Sequence, residues 1–143
     1  MNLSEAQIAE VQGMLHAYAA AYTKKDFRGM VALFSPGING FGSGPDEVIR
    51  DRETFVRQIR RDMSQATVHA VEFSETKISG DGRVAWIMTR TAITFTVGGS
   101  GKQTLHGRST MLMRNTGSRW MIEQIHFSLP YAEQLPGQSF PGA

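Results

Sequence analysis

The stretch Val84-Ala85-Trp86-Ile87-Met88-Thr89-Arg90-Thr91-Ala92-Ile93-Thr94-Phe95-Thr96-Val97 decides the fold. Successive strand side chains point to opposite faces. Ala85, Ile87, Thr89, Thr91, Ile93, Phe95 and Val97 therefore share one face, and Trp86, Met88 and Arg90 the other. The same period of two runs through 67–79, 102–114 and 119–129. Strands of about thirteen residues far exceed the usual five or six, so the sheet is expected to twist and bend strongly. Gly80-Asp81-Gly82, Gly98-Gly99-Ser100-Gly101 and Asn115-Thr116-Gly117-Ser118 are tight-turn sequences, and long strands joined so closely form an antiparallel meander.

Before Thr67 the period is helical. Ser4 and Gln7 form a capping box, and Ile8, Val11, Leu15, Tyr18 and Tyr22 follow at steps of three and four. Asp26 caps a second helix with Phe27, Met30, Val31 and Phe34 inside, ended by Ser35-Pro36-Gly37. Glycines then punctuate a short strand at Ile38–Gly42 and another at Glu47–Arg50. Asp51 caps a third helix, Arg52 to Met63, with Phe55, Ile59 and Met63 at spacing four. The expected class is α+β: three N-terminal helices packed on a strongly curved antiparallel sheet. Residues 131–143, with further prolines, read as an irregular tail.

The 143 residues allow one core and one domain. A net charge of +2 is too small a basic excess for a nucleic-acid footprint. There is no cysteine, so neither a disulfide framework nor a thiolate metal site arises. His16, His69, His106 and His126 lack the spacing of metal ligands, and no metal or cofactor is expected. No apolar run approaches the ~18 residues of a membrane span, and Glu5 and Glu10 near the start argue against a secretory leader. A cytoplasmic protein is expected.

Carried across the meander, odd positions form the inner face: Leu105, Gly107, Ser109, Met111 and Met113, then Met121, Glu123, Ile125 and Phe127. Even positions carry His106, Arg108 and Thr110, then Trp120, Gln124, His126 and Ser128. An outer face with both tryptophans predicts a partner, most simply a second copy, touching Trp86, Arg108, Trp120 and His126. Glu123 is the oddity of the inner face. A carboxylate among apolar side chains must be paired, hydrogen-bonded or protonated, and burial raises its pKa. The alternative is a rim position or an arginine partner.

The order of elements, with Gly42-Ser43-Gly44-Pro45-Asp46-Glu47, Val84-Ala85-Trp86, His106-Gly107-Arg108 and Trp120 through His126-Phe127-Ser128-Leu129-Pro130, resembles the SnoaL-like branch of the nuclear transport factor 2-like superfamily. That superfamily is also called cystatin-like or ketosteroid isomerase-like. The resemblance spans residues 1–130 and leaves 131–143 as the tail. It implies a cone, a sheet curled around an apolar pocket, with a convex face that commonly dimerises. Leu15, Tyr18, Phe34, Phe55 and Ile59 from the helices, and Ser109, Met111, Ile125 and Phe127 from the sheet, are then the pocket residues.

Against ketosteroid isomerase, Tyr18 matches the oxyanion tyrosine. The segment Ile38-Asn39-Gly40-Phe41-Gly42-Ser43 lacks the general-base aspartate, and Ser109 stands nearest the second oxyanion donor. Two functions follow. One is a homodimeric pocket domain that binds a small apolar molecule. The other is a cofactor-independent isomerase, cyclase or dehydratase acting on a carbonyl compound, with Glu123 moving a proton and Tyr18 stabilising the oxyanion. A Glu123 carboxylate enclosed beside Tyr18 favours catalysis; one exposed or locked to an arginine does not.

Overall fold

The two long helices begin where their caps require. Ser4 Oγ accepts from the Gln7 N–H while the Gln7 side chain accepts from the Ser4 N–H, and Asp51 accepts from Thr54 in the same way. In the computed structural model, which describes residues 2–143, the elements run α1 (Glu5–Thr23), α2 (Phe27–Ala32), β1 (Phe34–Phe41), β2 (Val48–Ile49), α3 (Arg52–Gln65), β3 (Thr67–Gly80), β4 (Val84–Thr96), β5 (Gln103–Asn115) and β6 (Trp120–Ser128). The class is α+β, with the helices at the N-terminus and a curled, unclosed six-stranded sheet in the order β2-β1-β6-β5-β4-β3.

Strands β3 to β6 form the expected antiparallel meander. The sheet is not wholly antiparallel, however, because β1 lies parallel to β6. The chain leaves α2 earlier than expected. The Leu33 carbonyl accepts from the Ile122 N–H at 2.8 Å, and Phe34 already stands opposite Ile122 in the sheet. Proline has no N–H to give a ladder, and Pro36 falls where the β1–β6 register shifts, between Phe34 and Asn39. At Gly40, with φ of +151°, the backbone comes so close to β6 that a Cβ would lie 1.8 Å from the Ile125 carbonyl oxygen.

One irregularity changes the reading of β6. Met111 faces Ile125 and Leu112 faces Gln124, but Met113 faces Ile122, which leaves Glu123 as an extra residue. Such a bulge reverses the parity of the strand beyond it. Ile125 remains inward, yet so do Trp120 and Ile122, which are buried at 4% and 0% exposure. Trp120 therefore does not sit on the outer face, and its indole N–H donates to Glu10 Oε2 at 2.8 Å. The core beneath the sheet joins Val11, Leu15, Met30 and Phe34 to Ile87, Met111, Met113 and Ile122.

Candidate functional site

Two chains of apolar residues meet above this core without filling it. Ile49, Phe55 and Ile59 from β2 and α3, and Val68, Phe73, Ile93, Phe95, Ile125 and Phe127 from the sheet, surround a cavity of about 290 Å³. That volume lies at the small end of the range for ligand pockets, roughly 300–1,000 Å³. Phe41 and Val97, both exposed, belong to the same lining. Thr91 and Ser109 face the space from β4 and β5, and their hydroxyls bond each other at 2.8 Å.

Six of the expected pocket residues do line the cavity: Tyr18, Phe55, Ile59, Ser109, Ile125 and Phe127. Leu15, Phe34 and Met111 do not; they are buried in the core below it. Phe34 fills that space by packing on Phe55, ring centroids 4.2 Å apart, and on Tyr18 at 6.2 Å.

Glu123 is not part of the lining. Because it is the bulged residue, its carboxylate turns away from the inner face and is held on both sides. Ser35 Oγ donates to Oε2 at 2.6 Å, and Arg114 Nε donates to Oε1 at 2.6 Å. The Ser35 hydroxyl, and then Arg114, hold its pKa below the usual carboxylate value, the opposite of what burial alone would do and in line with the arginine-partner alternative. An arginine-locked carboxylate outside the cavity is poorly placed to move a proton within it.

The polar end of the cavity is built instead from residues that alternation did not single out. Tyr22 Oη donates to Asp62 Oδ2 at 2.6 Å, and Gln58 Nε2 donates to Asp62 Oδ1 at 2.6 Å. The same Gln58 amide donates to Glu47 Oε1 at 2.7 Å. Glu47 Oε2 accepts the backbone N–H of Gly44. Burial, and then the negative charge of Glu47, push the Asp62 carboxyl above its ordinary pKa, against the lowering effect of Tyr22, Gln58 and Arg61. Tyr18 stands beside this cluster, its ring 5.9 Å from that of Tyr22. Burial, and then the charge of Asp62, raise the Tyr18 pKa, and no hydrogen bond contributes to the shift. Asp62 was legible in one respect: it falls three residues after Ile59 and seven after Phe55, on the apolar face of α3.

On the other side of the sheet Trp86 and Met88 are exposed at 53% and 61%. Arg108 and His126 line a groove of about 520 Å³, and Trp86 lines an adjoining one of about 340 Å³, with Met88 and Thr110 common to both. Of the four residues expected to meet a partner, Trp120 alone is removed, by its burial. Among the described residues no group of three or more His, Asp or Glu side chains is arranged to hold a metal ion, and no helix is long and apolar enough to cross a membrane.

Solved structures share this architecture at low identity. A protein of unknown function from Pseudomonas putida, of the nuclear transport factor 2-like type, is 17% identical with a TM-score of 0.77 over 90% of each chain. A Streptomyces avermitilis protein assigned as a dehydratase of the same type is 16% identical with a TM-score of 0.80, over 90% of this chain and all of that one. A cystatin-like protein of unknown function from Nostoc punctiforme is 13% identical with a TM-score of 0.73, over 95% of this chain and 98% of that one. No curated protein matches the chain. These likenesses carry the fold and not an activity. The model of the SnoaL-like domain matches residues 11–132, most of the sequence, and the chain belongs to the SnoaL-like domain family.

Proposed function

We propose that this protein is a homodimeric pocket domain whose cavity binds a small, mostly apolar molecule. The observation that carries this reading is the cavity itself: a half-open, mostly apolar cleft with a few convergent polar groups gathered at Tyr18, Tyr22, Asp62, Gln58 and Glu47. Its walls provide affinity by removing apolar ligand surface from water, and the polar end orients the molecule. A thermal-shift screen of small cyclic and aromatic compounds tests it. Hits should lose their shift in Ile93→Trp, which fills the lining. A screen without hits, or a shift that survives this substitution, removes the reading.

The second copy is proposed on the outer sheet face, where Trp86 and Met88 stay exposed next to Arg108 and His126. The exposed Trp86 and Met88 on this grooved face are favourably buried against a second copy. Sedimentation should give a dimer that Trp86→Glu turns into a monomer. A monomeric wild type ends that part of the proposal.

Proton transfer is a second reading, and Asp62 now takes the place expected of Glu123. What favours it is a carboxyl with raised pKa, held by Tyr22 within the cavity and close to Tyr18. The Streptomyces neighbour assigned as a dehydratase is in keeping with such chemistry. Exchange of α-protons of cyclic ketones in D₂O, followed by NMR, should be accelerated by the wild type and lost in Asp62→Asn. No acceleration for any ketone that binds would leave the domain a binder.

A further inference from the structure

The charges lining the cavity all have one sign. Glu47 and Asp62 both face it, whereas no lysine, arginine or histidine does. The two carboxylates are tied to one Gln58 amide group, so they lie close together, and Glu47 is among the causes that raise the Asp62 pKa. The cation that approaches them is Arg61, whose Nη2 lies 3.9 Å from Glu47 Oε1. Arg61 is already committed elsewhere: Nη1 donates to Asp46 Oδ2 at 2.6 Å, and Nη2 to Asp46 Oδ1 at 3.3 Å and Gln58 Oε1 at 3.0 Å. Two carboxylates thus share a part-buried site with a single cation, Arg61, which reaches Glu47 at 3.9 Å and pairs more closely with Asp46. Hydrogen bonds from Tyr22, Gln58 and Gly44 satisfy the oxygens, but one shared arginine balances the two charges only in part, which is costly in a low-dielectric setting.

A second feature points to the same ligand chemistry. Tyr18, Tyr22, Phe55 and Phe73 all line the cavity, with Tyr18 5.9 Å from Tyr22 and 6.2 Å from Phe73 between ring centroids. The Tyr18 hydroxyl makes no hydrogen bond within the described residues and is not sealed off by protein, which leaves its oxygen free to accept one from a molecule in the cavity. Aromatic faces around a site attract a cation through the negative lobes of their rings. Carboxylates alone would serve any donor; carboxylates with several rings and a free phenol oxygen favour an ammonium group.

We propose that the cavity selects a small apolar molecule carrying a protonated amine. The ammonium sits at the polar end, donates to Asp62 and to the Tyr18 oxygen, and lies against the Tyr18, Tyr22 and Phe73 rings. Its apolar body extends along Ile59 and Ile93. An anionic ligand is repelled by Glu47 and Asp62, and a neutral carbonyl compound brings them no counter-charge. This inference rests on the pocket reading and narrows it to one ligand class.

Three compounds of nearly one shape and three charges test it: phenethylamine, 2-phenylethanol and phenylacetate, titrated calorimetrically at pH 7. The amine should bind about tenfold or more tighter than the alcohol, the increment typical of one charged hydrogen bond, with phenylacetate weakest. In Asp62→Asn, and separately in Glu47→Gln, the ratio of amine to alcohol affinity should fall towards one. If the alcohol binds and the amine binds no tighter, the inference is overturned while the pocket reading stands. An amine preference that persists in both variants overturns it too. If none of the three binds, the inference falls, and the thermal-shift screen decides the pocket reading separately. The wild-type comparison needs no variant to fold.

Discussion

Asp62 and Glu123 are carboxylates that the fold shifts in opposite directions, and each shift has a testable sign. Burial raises the Asp62 pKa in the folded state above the unfolded value of about 3.9. A folded state that holds its proton to higher pH gains relative stability below the unfolded pKa and loses it as pH rises through the folded pKa. Denaturant melts of the wild type should therefore lose stability relative to Asp62→Asn as pH rises through that window. Parallel curves would mean that Asp62 is well solvated. Glu123 behaves in the reverse sense, because Ser35 and Arg114 lower its pKa. Its contribution is present above the unfolded value and lost as pH falls through the folded one. At pH 7, Glu123→Gln should cost about 1–2 kcal/mol, the scale of a charged hydrogen bond discounted for the half-exposed Arg114. Phenethylamine affinity should be unchanged in that variant, since Glu123 lies outside the cavity.

At the level of elements, two glycines separate backbone needs from helix propensity. Gly40→Ala should cost more than about 2 kcal/mol and lower the melting temperature, because its Cβ would strike the Ile125 carbonyl where β1 meets β6. Gly13→Ala, with nothing within 4 Å in mid-α1, should instead stabilise by about 0.5–1 kcal/mol in the same melts. The same elements show what the chain made legible. Local signals were complete for α1 and α3, where Ser4, Gln7 and Asp51 cap as their chemistry dictates, and for the turns of the meander. The bulge at Glu123 was not readable, because a period of two does not announce an extra residue. Everything on the Trp120 side of it was therefore placed on the wrong face. The parallel pairing of β1 with β6 joins segments more than eighty residues apart, and no local pattern encodes it. The cavity's polar end was half readable. Asp62 shares the apolar face of α3, but Glu47 comes from the loop before β2 and meets it only through Gln58.

For the whole molecule, one curled sheet separates two environments, with the cavity on its concave side and Trp86, Met88, Arg108 and His126 on the other. If the copies meet on that outer face, the two cavities open away from the contact. Trp86→Glu should then dissociate the dimer in sedimentation and leave ligand affinity within about twofold; a large loss of affinity in the monomer would mean that the interface shapes the site. The two indoles offer a direct way to watch both events. Trp86 is half bathed in water, whereas Trp120 is sealed in the core against Glu10. Their emission should accordingly separate, Trp86 contributing a red-shifted component that iodide quenches and Trp120 a blue-shifted one that iodide does not reach. One spectrum would thus carry two independent reporters, the accessible component following self-association and the shielded component following unfolding.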